Sequence, residues 1–337
     1  MKSLSDAVLS RRQVLALGLG STAALGLTAC GGNNAAPAPA ADSQQAEVKD
    51  EQEAPIIDAA EFDKFLADGP VAADDVIAAS AWATKIKEAG KLRVGGVETS
   101  TFFSLLNVED GHYRGFDAGL FQLLARYITG DEKNFAFTKV TSDTRESVLQ
   151  NDTVDAVFAT YSVTSERQEK IDFAGPYYTS QQSILVTKDN ADISGLADLD
   201  GKNVAVQSGS TGPKIMEELA PKAVLQQFTT DEEARLALEQ KRVDAYVIDN
   251  TMQMGAVARN PNKYKIVGEP FGPIDPYGIG LSKDSKGAVE FVNDFLTLLE
   301  KPADGKFSAW EALWFLSIGN RIGATEAPKP PAIGVFE

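Results

Sequence analysis

The chain has 337 residues, long enough for one large domain or two of ordinary size with a substantial core. Its 48 acidic side chains outnumber 32 basic ones, and the net charge of −16 argues against nucleic acid as a partner. A single Cys excludes a disulfide framework and a cysteine-rich zinc site. A single His, His112, leaves little room for His-based catalysis or a His-rich metal centre.

Arg11 and Arg12 precede an apolar run from Val14 to Leu27, built mostly of Ala, Leu and Gly. The run is too short and small-sided for a membrane span and reads as the core of a signal peptide covering residues 1–29. It ends in Leu27-Thr28-Ala29-Cys30, which resembles the lipobox of bacterial lipoproteins. That resemblance implies lipidation of Cys30 and an anchor on the outer face of a membrane. Ser10-Arg11-Arg12-Gln13-Val14 also resembles a twin-arginine export signal, although paired Arg is common in any basic leader. Residues 30–57 are rich in Ala, Pro, Gln and Glu and read as a disordered tether. Residues 58–90 read as a helical extension. Phe62, Phe65 and Leu66 share one face there, Val76, Ile77, Trp82 and Ile86 follow, and Gly90 stops the run.

From Lys91 the pattern alternates strand and helix. Strands are expected at Lys91–Gly95, Phe135–Val140 and Val154–Ala159, with helices at Gly119–Tyr127 and Arg145–Gln150. A second unit repeats the order: strands at Lys202–Gln207, Val224–Phe228 and Val243–Ile248, helices at Pro213–Ala220 and Asp231–Gln240. The phrase Leu149-Gln150-Asn151-Asp152-Thr153-Val154-Asp155-Ala156 has the pattern of Leu238-Glu239-Gln240-Lys241-Arg242-Val243-Asp244-Ala245. Two similar doubly wound α/β lobes follow from this order.

In such sheets ligands bind beyond the carboxyl ends of strands. That rule points to Thr160-Tyr161-Ser162, to Asp249-Asn250 and to Ser208-Gly209-Ser210-Thr211-Gly212. Ser210 and Thr211 precede Pro213 at a helix start, where free N–H groups favour an anion, although a plain helix cap explains them too. Thr164 reads as an N-cap, which sets Arg167 in the first helical turn against the dipole. A bound carboxylate would offset that cost, since Arg grips one with two parallel hydrogen bonds; an exposed Arg is the alternative. Asp249, ending an apolar strand, pairs with a structural base, caps a turn or meets a cationic ligand. Arg145 follows a polar turn, Thr141 to Thr144, and by itself reads as a solvated helix face. Together these groups supply what a zwitterion needs: an anion grip, a cation grip and hydroxyls at Thr160 and Ser162. No Ser-His-Asp set forms around His112, which lies in a polar loop, and no Gly-x-x-x-x-Gly-Lys phosphate loop is present, so no cofactor is expected.

Gly115-Phe116-Asp117, Leu149-Gln150-Asn151, the run Ala159 to Arg167, Asp172 to Tyr178, Val206 to Thr211, Asp249 and Pro276 to Gly280 occur in one order. This series resembles the polar amino-acid-binding proteins of ABC importers, the family-3 extracellular solute-binding proteins, most of all actinobacterial glutamate-binding lipoproteins. The resemblance implies an α/β, two-lobed, periplasmic-binding-protein-like flytrap of type II. Lobe one would take residues 91–180 and 278–337, lobe two residues 184–272, with hinge crossings near Thr179–Leu185 and Phe271–Tyr277. It implies Arg167, helped by Ser210 and Thr211, on the ligand α-carboxylate, and Asp249 with the Ser162 and Thr160 region on the α-ammonium. It implies Ser142 and Arg145 reaching a distal carboxylate, which favours Glu, Asp, Gln or Asn. In the first loop, Glu98 stands where many members carry Asp, which could instead favour an amide or amino side chain, and Phe102 or Phe103 would supply an aromatic stacked on the ligand. A second distal Arg is absent, and residues 58–90 and the tail from Ala324 have no assigned role. The implied partners are ABC permease subunits, and a monomer is expected. The competing readings are a dehydratase-like enzyme, with Glu98 as its only proton-transfer candidate, and a sensor module acting on a separate membrane partner.

Overall fold

The computed structural model describes residues 57–302 and 307–336. The expected signal peptide at 1–29, Cys30 and the tether up to residue 56 lie outside the described residues. No helix among the described residues is long and apolar enough to cross a membrane.

The chain opens with α1 (Ala59–Ala67), α2 (Asp74–Ala78) and α3 (Ala81–Ala89). Asp58 and Ser80 cap α1 and α3 through their side chains, and Gly90 ends α3 in the left-handed conformation (φ 70°). The expected helical extension is thus present, and it is not a loose appendage. Phe62, Leu66, Ile77, Trp82 and Ile86 are buried in the main core, with Phe65 packed against it; Val76 faces solvent instead. Trp82 packs on Phe291, with ring centres 6.0 Å apart. Arg114 clasps Asp63 of α1 with Nε (3.0 Å) and Nη2 (2.7 Å), and Ser80 Oγ donates to Gly287 O (3.0 Å). His112, expected in water, sits half-exposed beside Asp63, 3.4 Å from its carboxylate.

The body then runs β1 (Leu92–Gly96), a small sheet of β2 (Thr99–Ser100), β3 (Ser104–Leu106) and β4 (Tyr113–Arg114), then α4 (Phe116–Thr129) and β5 (Phe135–Lys139). Next come α5 (Arg145–Gln150), β6 (Ala156–Phe158), α6 (Ser165–Gln168) and the long β7 (Asp172–Thr187). The second unit holds β8 (Asn203–Gln207), α7 (Gly212–Leu219), β9 (Val224–Phe228), α8 (Asp231–Glu239), β10 (Ala245–Asp249) and α9 (Asn250–Arg259). It ends in the long β11 (Tyr264–Leu281), followed by α10 (Ala288–Glu300), α11 (Ala309–Trp314) and α12 (Asn320–Ile322). The expected alternation therefore holds, with each element within a few residues of its sequence limits.

The two-lobed α/β architecture is present, with one difference from two independent sheets. Eight strands join in the order β5-β1-β6-β11-β7-β10-β8-β9. Three parallel strands form each flank, β5-β1-β6 and β9-β8-β10, and the antiparallel pair β7–β11 lies between them. β7 and β11 each run through both halves, so one sheet spans them. The expected crossings fall inside β7 and β11, where the register slips between Val267 and Phe271 and again between Phe271 and Asp275. Such irregularities bend a strand pair locally.

The repeated phrase is a repeated structure. Asp152 (φ 52°) and Lys241 (φ 55°), at the same place in each copy, are both left-handed. The N–H after each closes the turn, Thr153 onto Val148 O and Arg242 onto Ala237 O, both at 2.9 Å. Asp155 then accepts the Arg93 N–H (2.8 Å), and Asp244 accepts the Asn203 N–H (2.8 Å). Each aspartate ties the third strand of its lobe to the first. The C-terminal tail folds back: Gly334 N–H donates to Gly175 O (2.6 Å), and Phe336 packs against the Tyr161–Phe173 cluster.

Because Trp82 is buried, Trp82→Ala should lower unfolding free energy by about 3–5 kcal/mol, read by urea unfolding, with ligand affinity unchanged. A loss below about 1 kcal/mol would show that the extension unfolds apart from the core.

Candidate functional site

Six strands end at one cleft. It is lined by the residues just past β1 (Val97, Glu98, Thr99), β5 (Val140 to Ser142), β6 (Ala159, Thr160, Ser162), β8 (Ser210, Thr211), β9 (Thr230 to Glu232) and β10 (Asp249, Met252). Strand ends from both halves thus converge, as the carboxyl-end rule requires.

Arg167 sits on α6, whose N-cap Thr164 accepts the Arg167 N–H through its hydroxyl (3.3 Å). The guanidinium is buried and donates from Nη1 to Ser162 O (2.6 Å) and from Nη2 to Gly209 O (2.7 Å). It stands behind the Ser162 wall of the cleft. Arg145 is buried as well and lines the cleft. Its Nη1 donates to Ala159 O (3.1 Å), its Nη2 reaches Gly209 O (3.5 Å), and its Cζ lies 3.9 Å from the Tyr161 ring centre. The solvated-face reading of Arg145 is therefore overturned, because an aromatic face and two carbonyls take it out of water. Burial, and then the neighbouring Arg167 charge, push its pKa down to about 9.

Asp249 ends β10 fully enclosed. Gln182 Nε2 donates to one oxygen and the Tyr277 hydroxyl to the other, both at 2.6 Å. Beside it, Asp275 of β11 accepts the Thr211 hydroxyl (2.9 Å). Burial raises both carboxyls, and burial together with the Asp249 charge brings Asp275 to about 7. Thr211 caps nothing with its side chain, since its hydroxyl is committed to Asp275. Ser210 Oγ donates to Gln207 O (2.7 Å) and accepts the Gly212 N–H (3.2 Å), a local turn rather than a free anion grip.

Thr160 is left-handed (φ 42°), an outlier for a β-branched residue. Asp117 holds it there, accepting the Thr160 N–H (2.8 Å) and the Tyr177 hydroxyl (2.7 Å). Burial raises Asp117 to about 7. Ser142 and Glu98 line the cleft; Glu98 accepts from the Tyr113 hydroxyl (3.1 Å) and faces Lys139 Nζ (3.3 Å). Phe102 and Phe103 do not line it. Both are fully buried, and Phe103 packs edge-on against Phe116, Tyr178 and Tyr277, because the loop turns inward to meet α4. Sequence reasoning missed Gln182, Asp275, Tyr277 and Lys139. Tyr277 stood within a recognised run, while an acid before Pro276 in a long strand carries no signal of its own.

The halves touch directly around Gly209, whose carbonyl receives both arginines. Ser208 Oγ donates to the Asp143 carboxylate. Gly209 has φ 69°, and a Cβ there would collide with the Asp143 carboxylate and lie 2.8 Å from its backbone N. Gly209→Ala should therefore obstruct approach of the halves and weaken ligand binding by about tenfold or more, equal to about 1.4 kcal/mol. Unaltered affinity by calorimetry would show that this contact does not belong to the bound state.

Residues 92–317 match the family model described as bacterial extracellular solute-binding proteins, family 3. The glutamine-binding protein of Geobacillus stearothermophilus is 37% identical over 60% of this chain and 76% of its own. The ABC transporter glutamine-binding protein of Bacillus subtilis is 36% identical over 68% of this chain and 82% of its own. An ancestral arginine-binding protein bound to arginine superposes with a TM-score of 0.60 and 33% identity, covering 68% of this chain and 99% of that one. Cleft, sheet order and family match agree: the chain belongs to the family-3 bacterial extracellular solute-binding proteins.

Proposed function

We propose that the chain is the extracytoplasmic receptor of an ABC importer, held to the membrane by a lipid on Cys30, that captures a polar amino acid (glutamate, glutamine, aspartate or asparagine) and delivers it to the permease. It binds without turnover. The observation that carries this reading is the pair Arg167 and Asp249, one from each half, Asp249 lining the cleft and Arg167 buried behind its Ser162 wall. An α-amino acid carries the complementary pair of charges on one carbon, so it bridges the halves only when they close. Closure then follows from contacts that exist in the closed state alone. Thr160, Ser162, Ser210 and Thr211 line the same cleft, as do Arg145 and Ser142, to which this reading gives the ligand side chain. The glutamine-binding relatives, one of them named for an ABC transporter, support this reading of the substrate class and of the transporter.

Calorimetric titration of the ligand-stripped chain with the twenty amino acids tests this directly. Saturable binding of a polar amino acid is expected, and Arg167→Ala should abolish binding of every one, since it leaves the ligand carboxylate without its partner. Micromolar binding retained by Arg167→Ala would remove Arg167 from the site.

A further inference from the structure

A hydroxyl has one proton and two lone pairs, so a hydroxyl whose proton is spent can only accept from a ligand. Thr160, Ser162, Ser210 and Thr211 all line the cleft. Thr160 Oγ1 donates to Ala159 O (2.8 Å) and Ser210 Oγ to Gln207 O (2.7 Å), backbone carbonyls that do not titrate. Thr211 Oγ1 donates instead to the Asp275 carboxylate (2.9 Å), and the Ser162 hydroxyl faces that carboxylate too. The donor or acceptor character of Thr211 toward the cleft therefore depends on a group that can take up a proton.

Asp275 is buried on β11, paired across β7 with Ser180. Asp249 at the end of β10 opposes its charge, and Arg167 of α6 and Arg145 of α5 favour it. Tyr277, two positions along β11, keeps its proton far above neutrality and donates it to Asp249 (2.6 Å). Burial, and then the Asp249 charge, raise Asp275 to about 7, so its charge changes near neutrality. Once protonated, Asp275 is itself a donor to Thr211, and the Thr211 proton turns toward the cleft. The network is also short of donors: Gln182 Nε2 is spent on Asp249 (2.6 Å), and Gln182 Oε1 is buried without a hydrogen-bond partner. An ammonium brings three donors to such a place and a carboxylate brings none.

On the reading of the cleft as an amino-acid site, we propose that Asp275 is a positioning residue which, as a carboxylate, takes the Thr211 proton and makes the Thr211 oxygen an acceptor for the ligand α-ammonium. The Thr211 side chain then serves the ammonium beside Asp249, not the carboxylate. Binding fixes Asp275 in its ionised form, so capture near neutrality passes its proton to the buffer. The sign follows: ligand lowers the Asp275 pKa, so affinity is full above its free value and is lost as pH falls through about 7. Loss of the ligand ammonium's own proton acts oppositely, weakening binding as pH rises.

The test is calorimetry with glutamine, asparagine, glutamate and aspartate as probes, at pH 5.5 and 7.5, and at pH 7 in two buffers of different ionisation enthalpy. The tightest of these probes should bind the unaltered chain about tenfold more tightly at pH 7.5 than at pH 5.5, releasing about half a proton at pH 7. Asp117, also raised to about 7, faces the Thr160 N–H and the Tyr177 hydroxyl and is kept in every variant, so comparison among variants isolates Asp275. Asp275→Asn should bind about tenfold more weakly at pH 7.5, with the pH difference and the proton release both lost. Thr211→Val should do the same, whereas Thr211→Ser, which keeps a hydroxyl, should keep the pH difference. The two Thr211 variants carry the test if Asp275→Asn fails to fold. A flat profile without proton release in the unaltered chain overturns the proposal. So does a variant pair, Asp275→Asn and Thr211→Val, that loses affinity equally at both pH values, as a merely structural role would give. Those results leave the amino-acid receptor standing, whereas silence toward all twenty amino acids overturns the receptor reading itself.

Discussion

Arg145, Arg167, Asp249 and Asp275 are all buried, and backbone carbonyls and polar side chains around the cleft partner them, with only Arg145 Nε, among the fully enclosed atoms of these side chains, left without a hydrogen bond. Stripping one buried charge of its partners is worth about 3–5 kcal/mol against the fold, so the surrounding groups are not optional. Backbone carbonyls of Ala159, Ser162 and Gly209 hold the guanidinium groups, and Gln182, Tyr277 and Thr211 hold the carboxylates. Gly209 follows β8 in the second unit, while both arginines belong to the first. Satisfying the arginines therefore draws the halves together.

That economy depends on β7 and β11. Both cross from one flank of the sheet to the other, and both carry site residues: Gln182 on β7, Asp275 and Tyr277 on β11. The crossing is where their register slips, so the two strands stay paired on either side of locally bent segments. The Asp249 partners Gln182 and Tyr277 thus lie on the two strands that link the halves. The N-terminal extension and the folded-back tail both pack on the first lobe, and neither adds a residue to the cleft lining.

Much of this was readable in the residues. Alternating apolar runs placed the strands, and Thr164 announced the helix that carries Arg167. The carboxyl-end rule found the loops after β6, β8 and β10. What was not legible depends on distant partners. The Thr211 hydroxyl looked like a helix cap, but Asp275, sixty-odd positions on, claims it. Arg145 looked solvated because nothing local reveals that Tyr161 will lie beneath it. Phe102 and Phe103 looked available because a loop aromatic reads the same whether it faces a ligand or the core, and only the packing of α4 and β11 decides. The joining of both lobes into one sheet likewise follows from pairing between strands far apart in sequence.

The internal repeat shows where the two lobes are free to differ. Through the turn and the tying aspartate, the copies coincide down to the left-handed residue and its closing hydrogen bond. Counting on from the shared phrase, Thr160 falls where the other copy has Asp249. The frameworks agree up to the strand end and then part. One lobe places a strained threonine there, with its N–H committed to Asp117; the other places a buried carboxylate held by Gln182 and Tyr277. Matching turns keep the two strand ends in equivalent places, so one position supplies a backbone wall and its counterpart a negative charge. A cleft between two copies of one framework thereby becomes asymmetric in charge at this repeated position.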